Sequence, residues 1–230
     1  RSYVIYRAER AAAREAELAS ATTQSSTTPT LMVKLDNGPS IPLDEGRLQR
    51  LIVEACKGLE DVKPEVILMD CLRNLYDGIT EKELAQAVTL SARSLVERDP
   101  NYSRVSARLL LDAMRHEALR FLEMPVQMAT AEEMTGLYGD YFKAFIKRGI
   151  ALELLDTKLG EFKLDVLAKA LLPERDFSFD YLGLQTLYDR YFLHSNKVRF
   201  ELPQAFFMRV AMGLALNEVN REARAIEFYQ

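Results

Sequence analysis

The chain has 230 residues, 48% apolar and 28% charged, with a formal net charge of −4. That balance is ordinary for a soluble globular protein and gives no general pull towards nucleic acid or a membrane surface. No apolar run approaches the roughly 18 residues of a membrane span, and no secretory signal opens the chain. Its cysteines, Cys56 and Cys71, form no CxxC pair, which argues against a disulfide scaffold or a zinc site and fits a reducing cytoplasm.

Residues 1–20 read as a helix, Ala-, Glu- and Arg-rich from Ala8 to Leu18 and without Gly or Pro. Residues 21–30, ATTQSSTTPT, read as a linker and a module boundary. Leu31-Met32-Val33 and Ser40-Ile41 flank the turn signal Asp36-Asn37-Gly38 and predict a hairpin. Asp44 is placed to cap a helix running to about Lys57, with Leu48, Leu51, Ile52 and Ala55 on one face and Gly58 at its end. A second helix is predicted from Pro64 to Tyr76, ended by Asp77-Gly78. A third opens on Thr80 with Glu83 in capping-box spacing and runs to about Glu97.

Asp99-Pro100 opens a helix to about Leu122, with Asp99 as cap, Pro100 in the first helical position and Val105, Leu109 and Ala113 on its apolar face. Residues 131–155 read as one long helix or two shorter ones. Met134, Leu137, Tyr138, Tyr141, Phe142 and Phe145 form their stripe, and Gly149 is a candidate bend. A short helix is predicted over 165–172, then a helix from Tyr181 carrying Leu184, Leu187 and Tyr188. Tyr191-Phe192-Leu193 and Val198-Arg199-Phe200 read as strands around a His194–Lys197 turn. Pro203 opens a helix with Phe207, Val210, Ala211 and Leu214 at i, i+3, i+4 and i+7. The aromatic residues Tyr181, Tyr188, Tyr191, Phe206 and Phe207 are expected in the core rather than on a base-stacking face.

The phrases YLGLQTLYDRYF, the hairpin after it and ELPQAFFMRVAMGLA, with RDPNYSRVSARLLL at Arg98–Leu111, resemble the N-terminal helical domain of the large (α) subunit of class I ribonucleotide reductase. The likeness is close from Glu97 to Gln230 and looser from Leu31 to Val96. It implies a mainly α fold: an ATP-cone-like helical bundle with a β-hairpin lid over 31–98, then over 99–230 the helical domain with a short hairpin that precedes the catalytic barrel. It also implies a cytoplasmic enzyme that reduces ribonucleoside diphosphates to deoxyribonucleotides for DNA synthesis. Its partners would be a small (β) radical-generating subunit and other large subunits, and its allosteric effectors ATP and dATP. Neither chain end resembles a natural terminus, and the family's catalytic cysteines follow the matched text. The expectation is therefore an inactive fragment with no catalytic residue. Tyr3-Val4-Ile5-Tyr6-Arg7 resembles the last helix of a preceding cone, against the plainer reading of a solvated connecting helix.

The likeness of 31–98 to an ATP-cone rests on the hairpin-to-helix spacing and the phrase LYDGIT. The family's basic pair before the turn is replaced by Leu35-Asp36, beside Lys34, and Arg47 retains the cation early in the first helix. Two further family positions, a Thr and a His, are Glu81 and Ala85 here. A triphosphate needs cations or oriented N–H donors, and Asp36 and Glu81 add like charge, which costs on the order of a kcal/mol each in a partly buried site. Lys34 and Arg47 are thus the candidate ATP/dATP-binding residues of a degenerate cone expected to bind little or no nucleotide.

No GxGxxG or P-loop motif occurs. His116-Glu117 begins like HExxH, but Arg120 takes the second histidine position, so His116 is read as a helix-surface residue. His194 is read as exposed at a turn. Cys56 and Cys71 are read as small buried apolar residues. Lys143, Lys147 and Arg148 are read as a solvated helix face. The alternative function is a non-enzymatic nucleotide-responsive or helical oligomerisation module. The nucleotide-responsive repressors that share the cone carry a four-cysteine zinc ribbon, which this sequence lacks.

Overall fold

The computed structural model describes residues 31–35, 38–125 and 131–230. The expected helix over 1–20, the linker over 21–30 and the turn residues Asp36 and Asn37 lie outside them. Residues 32–230 form one compact unit, and it is mainly helical, as the resemblance implies.

Strands β1 (Met32–Lys34) and β2 (Ser40–Pro42) pair antiparallel, Val33 opposite Ile41. The hairpin is not alone. β3 (Ile79–Thr80) lies parallel to β1, with Val33 opposite Ile79, and completes a sheet of order β2-β1-β3. Two residues are too few to show alternation, so this strand leaves no periodic signal. Its place is set by hydrogen bonds instead: Met32 N–H donates to Asp77 Oδ1 (2.9 Å) and Gly78 N–H to the Met32 carbonyl (2.8 Å). Gly78 turns the chain there at φ +79, a value that only glycine adopts without strain.

Helix α1 (Glu45–Cys56) starts where Asp44 Oδ1 accepts from Arg47 N–H at 2.8 Å. α2 (Pro64–Asn74) ends two residues before Tyr76 because Leu75 is already extended. α3 (Glu81–Arg93) opens with the expected capping box between Thr80 and Glu83. It stops four residues short of Glu97: Ser94 Oγ turns back to the Ser91 carbonyl (2.8 Å), and turns carry the chain onward.

α4 (Asn101–Phe121) starts one residue later than expected, with Pro100 as the cap residue and Asp99 Oδ1 accepting from Asn101 N–H. This helix belongs to two cores. Tyr102, Val105 and Leu109 pack with Leu48, Ile52, Ile67, Cys71 and Val88 from the preceding helices. Ala107, Leu111, Met114 and Ala118 pack with the residues that follow.

The second core is built around α5 (Ala131–Ala151), one continuous helix whose Met134, Tyr138, Tyr141, Phe142 and Phe145 are buried; Leu137 is only partly so. Gly149 marks a close approach rather than a bend: a Cβ there would lie 2.6 Å from Leu155 Cδ1. A 3-10 turn (Thr157–Glu161), α6 (Leu164–Ala170) and a second 3-10 turn (Pro173–Ser178) follow. α7 (Tyr181–Arg190) is capped by Asp180, and β4 (His194–Ser195) and β5 (Val198–Arg199) form the hairpin. The turn is only Asn196-Lys197, both at positive φ, so the strands sit closer to it than expected and Tyr191 caps α7.

α8 (Pro203–Leu214) is where the sequence expectation turns the wrong way. Its buried residues are Pro203, Gln204, Ala205, Met208, Ala211 and Met212, so Ala211 is inside as the spacing predicts, while Phe207, Val210 and Leu214 face outwards. Tyr191 is exposed as well, and Tyr181, Tyr188 and Phe206 are half-buried rather than core. α8 is apolar on both sides, so spacing alone cannot select its inner face. α9 (Arg221–Tyr229) seals the other side with Ala225 and Tyr229.

Because α4 serves both cores, Leu109→Ala and Leu111→Ala are each expected to cost about 2–5 kcal/mol. Both should lower a single unfolding transition, followed by urea titration. Two resolved transitions in either variant would show that the cores are independent.

Candidate functional site

The two candidate nucleotide-binding cations have different neighbours. Lys34 ends β1, exposed, beside Thr80 across the parallel pair. Arg47 stands in the first turn of α1 and directs its Nη2 to His116 Nε2 on α4, 3.1 Å away. An arginine can only donate, so His116 accepts through Nε2 and carries its own proton on Nδ1. Burial holds the His116 pKa below its ordinary value against the opposing pull of Asp112; Arg47, Arg115 and Arg120 push it the same way as burial. His116 is therefore a half-buried neutral acceptor at the junction of the two cores, not the surface residue that the sequence predicts.

One turn further along α4, Arg120 Nη2 donates to Glu81 Oε2 at 3.0 Å. Arg47 and Glu81 thus reach the same ridge of α4, Arg47 through His116 and Glu81 through Arg120. Neighbouring Glu117 has other partners. Its Oε2 accepts from Tyr188 Oη (2.6 Å) and its Oε1 from Arg199 N–H (3.0 Å), tying α7 and the hairpin to α4.

The sequence reading passed over a buried polar cluster in the second core. Asp176 accepts from Gln204 Nε2 (2.7 Å) and Tyr138 Oη (3.1 Å), and Tyr229 Oη donates to Gln204 Oε1 (2.5 Å). Gln204 N–H donates to Tyr138 Oη, and Leu172 N–H to Tyr229 Oη. Burial pushes the Asp176 carboxyl up to about 7, opposed by its hydrogen bonds and by Arg115. No local motif could reveal this set, because its members come from four separate segments. A second buried carboxylate, Glu201, is raised by burial and countered by Arg209, whose Nε lies 2.6 Å from Oε1. Each acid is occupied by partners of the fold.

Cys56 and Cys71 are buried, as expected, and desolvation pushes both thiols up to about 11, which keeps them protonated at neutral pH. His194 is exposed, as expected. The small basic cluster is mixed: Lys143 pairs with Asp140 and Asp165, while Arg148 lies over the Phe121 ring. Among the described residues no set of His, Cys, Asp and Glu is grouped to hold a metal ion, and no helix is long and apolar enough to cross a membrane.

The class defined by these features is an all-helical domain with short hairpin strands, fused through α4 to a small module with its own sheet. Residues 177–230 match the family model of the ribonucleotide reductase all-alpha domain. Over its whole length the chain is 36% identical to the ribonucleoside-diphosphate reductase subunit alpha of Chlamydia trachomatis and covers 22% of that protein. The subunit alpha of Helicobacter pylori is 35% identical over 84% of the chain, which covers 23% of that relative. The large subunit of Danio rerio is 30% identical over 86% of the chain, which covers 24% of it. The chain thus spans less than a quarter of these relatives, and the matches fit an N-terminal fragment of a ribonucleotide reductase large subunit.

Two outcomes follow from this geometry. In a double-mutant cycle of Glu81→Gln and Arg120→Gln, followed by thermal unfolding, a coupling of about 0.2–1 kcal/mol is expected for so exposed a pair; zero coupling would remove it as a fastening. The second outcome concerns pH. Native Asp176 keeps its proton up to about pH 7, whereas the unfolded carboxyl loses it near 3.8, so its contribution to stability falls as pH rises through that window. His116 acts oppositely, its contribution being full above 6.5 and lost as pH falls below. Asp176→Asn should reduce the first slope, leaving the same-signed part that buried Glu201 contributes, and leave the second, read as urea midpoints between pH 4 and 8.

Proposed function

We propose that this chain is the regulatory and N-terminal part of the large subunit of a cytoplasmic ribonucleoside-diphosphate reductase, the enzyme that converts ribonucleotides to deoxyribonucleotides for DNA synthesis. The observation that carries the reading is the whole-chain likeness to subunits of that name, joined to a family-model match over α7, the hairpin, α8 and α9. In this reading the thiol chemistry belongs to residues outside the chain. The buried, protonated state of Cys56 and Cys71 supports that division. The partners are a small radical-generating subunit and further copies of the large subunit.

In the same reading, residues 31–98 are an ATP-cone-like module that no longer holds ATP or dATP. Support comes from the occupation of its charged groups. Arg47 is directed to His116 and Glu81 to Arg120, so an arriving triphosphate meets one remaining candidate cation at Lys34 and an acid at Glu81. A phosphate that recruits Arg47 must first displace its hydrogen bond to His116, and that cost offsets the new interaction. The module's role is architectural, and effector control by ATP and dATP is exercised elsewhere in the full subunit.

The test is calorimetric titration of the 230-residue chain with ATP and with dATP in magnesium buffer. No saturable heat and no change in melting temperature are expected. Micromolar binding abolished by Lys34→Ala and Arg47→Ala would show instead that the module is a working effector site.

A further inference from the structure

The hydrogen bonds of the buried polar cluster form one directed chain. Tyr229 Oη donates to Gln204 Oε1 (2.5 Å), and Gln204 Nε2 donates to Asp176 Oδ1 (2.7 Å). Tyr138 Oη donates to the other carboxyl oxygen, Oδ2 (3.1 Å). Two backbone donors fix the ends: Leu172 N–H donates to Tyr229 Oη (2.9 Å) and Gln204 N–H to Tyr138 Oη (3.1 Å). A backbone N–H only donates, so each hydroxyl has an accepting site filled and one proton to place. All these side-chain protons run towards Asp176, which is buried in the second 3-10 turn. Among the described residues no cation forms an ion pair with it. Arg115 on α4 attracts it across space, but its own ion pair is with Asp112 (3.5 Å), and Glu174 repels it. The other titratable groups around the cluster are Tyr141 on α5, Glu201 before α8 and Arg175 beside Tyr229. Each has partners of its own: Tyr141 on the Phe200 carbonyl, Glu201 on Arg209, Arg175 on the Tyr229 carbonyl.

Such a chain runs in a direction set by the carboxyl. A carboxylate accepts from both neighbours. A neutral carboxyl brings a proton of its own, and a side-chain amide accommodates it by turning half a turn. Asp176 O–H then donates to Gln204 Oε1, Gln204 Nε2 donates to Tyr229 Oη, and the Tyr229 proton loses its acceptor. Tyr138 keeps its bond to Oδ2. Protonation at Oδ2 would instead strand the Tyr138 proton in the middle of α5, where a long helix yields least; the last turn of α9 yields more readily. We propose that Asp176, Gln204 and Tyr229 form a proton-set relay, in which a proton taken from solvent at Asp176 reverses the chain and releases the Tyr229 hydroxyl, the polar anchor of α9. Tyr229 is where the end of α9 is tied: its hydroxyl meets Gln204 and Leu172, its carbonyl accepts from Arg175 Nη1 (3.2 Å), and its ring lies under that guanidinium. Burial raises the Asp176 carboxyl to about 7, so both directions are populated near neutral pH. The relay belongs to the chain's own core and stands apart from the family reading.

The test is carbon NMR of the 230-residue chain labelled at tyrosine Cζ, with Tyr138 and Tyr229 assigned by their Phe variants, between pH 5 and 9. The Tyr229 signal is expected to titrate with a midpoint near 7, although its own hydroxyl ionises only above 10. Asp176→Asn should abolish that titration. Gln204→Met should abolish it at Tyr229 while Tyr138, in direct contact with the carboxyl, still reports it. A Tyr229 signal that stays constant in the unsubstituted chain overturns the relay. So does one that titrates unchanged in Gln204→Met, which would mark a field felt through space. A second readout needs no substitution in the core. Amide exchange at residues 226–230, corrected for the intrinsic rate and referred to α5, should show protection about five- to tenfold lower at pH 6 than at pH 8. Equal protection shows that the end of α9 does not feel the carboxyl, and higher protection at pH 6 shows that opening α9 hydrates Asp176; either result overturns the proposal.

Discussion

The structure depends on the double burial of α4. An α-helix turns about 100° per residue, so residues two apart lie on nearly opposite sides. Leu109 therefore enters the first core and Leu111 the second, and both are essentially removed from water. A module of 31–98 alone would be small for a stable core, since the fraction of surface buried falls as the chain shortens. Tyr102, Val105 and Leu109 of α4 complete it. The same helix then serves as the floor of the second core, where Met114, Ala118 and Leu119 meet the aromatic stripe of α5.

Buried polar groups organise what the apolar core leaves irregular. Between α6 and α8, on either side of α7, the chain runs through a 3-10 turn and two-residue strands, which leave many backbone N–H and C=O groups without a ladder partner. Side chains supply the missing partners. Tyr141 Oη donates to the Phe200 carbonyl (2.9 Å) and accepts from Leu202 N–H (2.8 Å). Glu201 accepts from Leu193 N–H and Glu117 from Arg199 N–H. Each of these acids and tyrosines meets a partner that the fold itself provides.

The same geometry gives the small module's charges their partners. Glu81 is the partner of Arg120, one turn along α4 from the His116 that receives Arg47. Each contact joins two parts of one unit. Salt bridges at this exposure contribute little to stability. Their effect is on orientation, adding polar directionality to a hydrophobic seam that has none of its own.

The sequence by itself determined the helices whose signals are local: the Asp44 cap, the Thr80–Glu83 capping box and the aromatic period of α5. It also determined the kinship, because YLGLQTLYDRYF and ELPQAFFMRVAMGLA are long and specific phrases. Tertiary structure decided what local pattern cannot carry. β3 is two residues long and exists because β1 lies beside it. The inner face of α8 was chosen by Met208 and Met212 meeting the second core, since either face is apolar enough to be buried. The partners of His116 and Asp176 come from distant segments, and a protonation state set by burial and by a neighbour far away in sequence has no signature in the residues beside it.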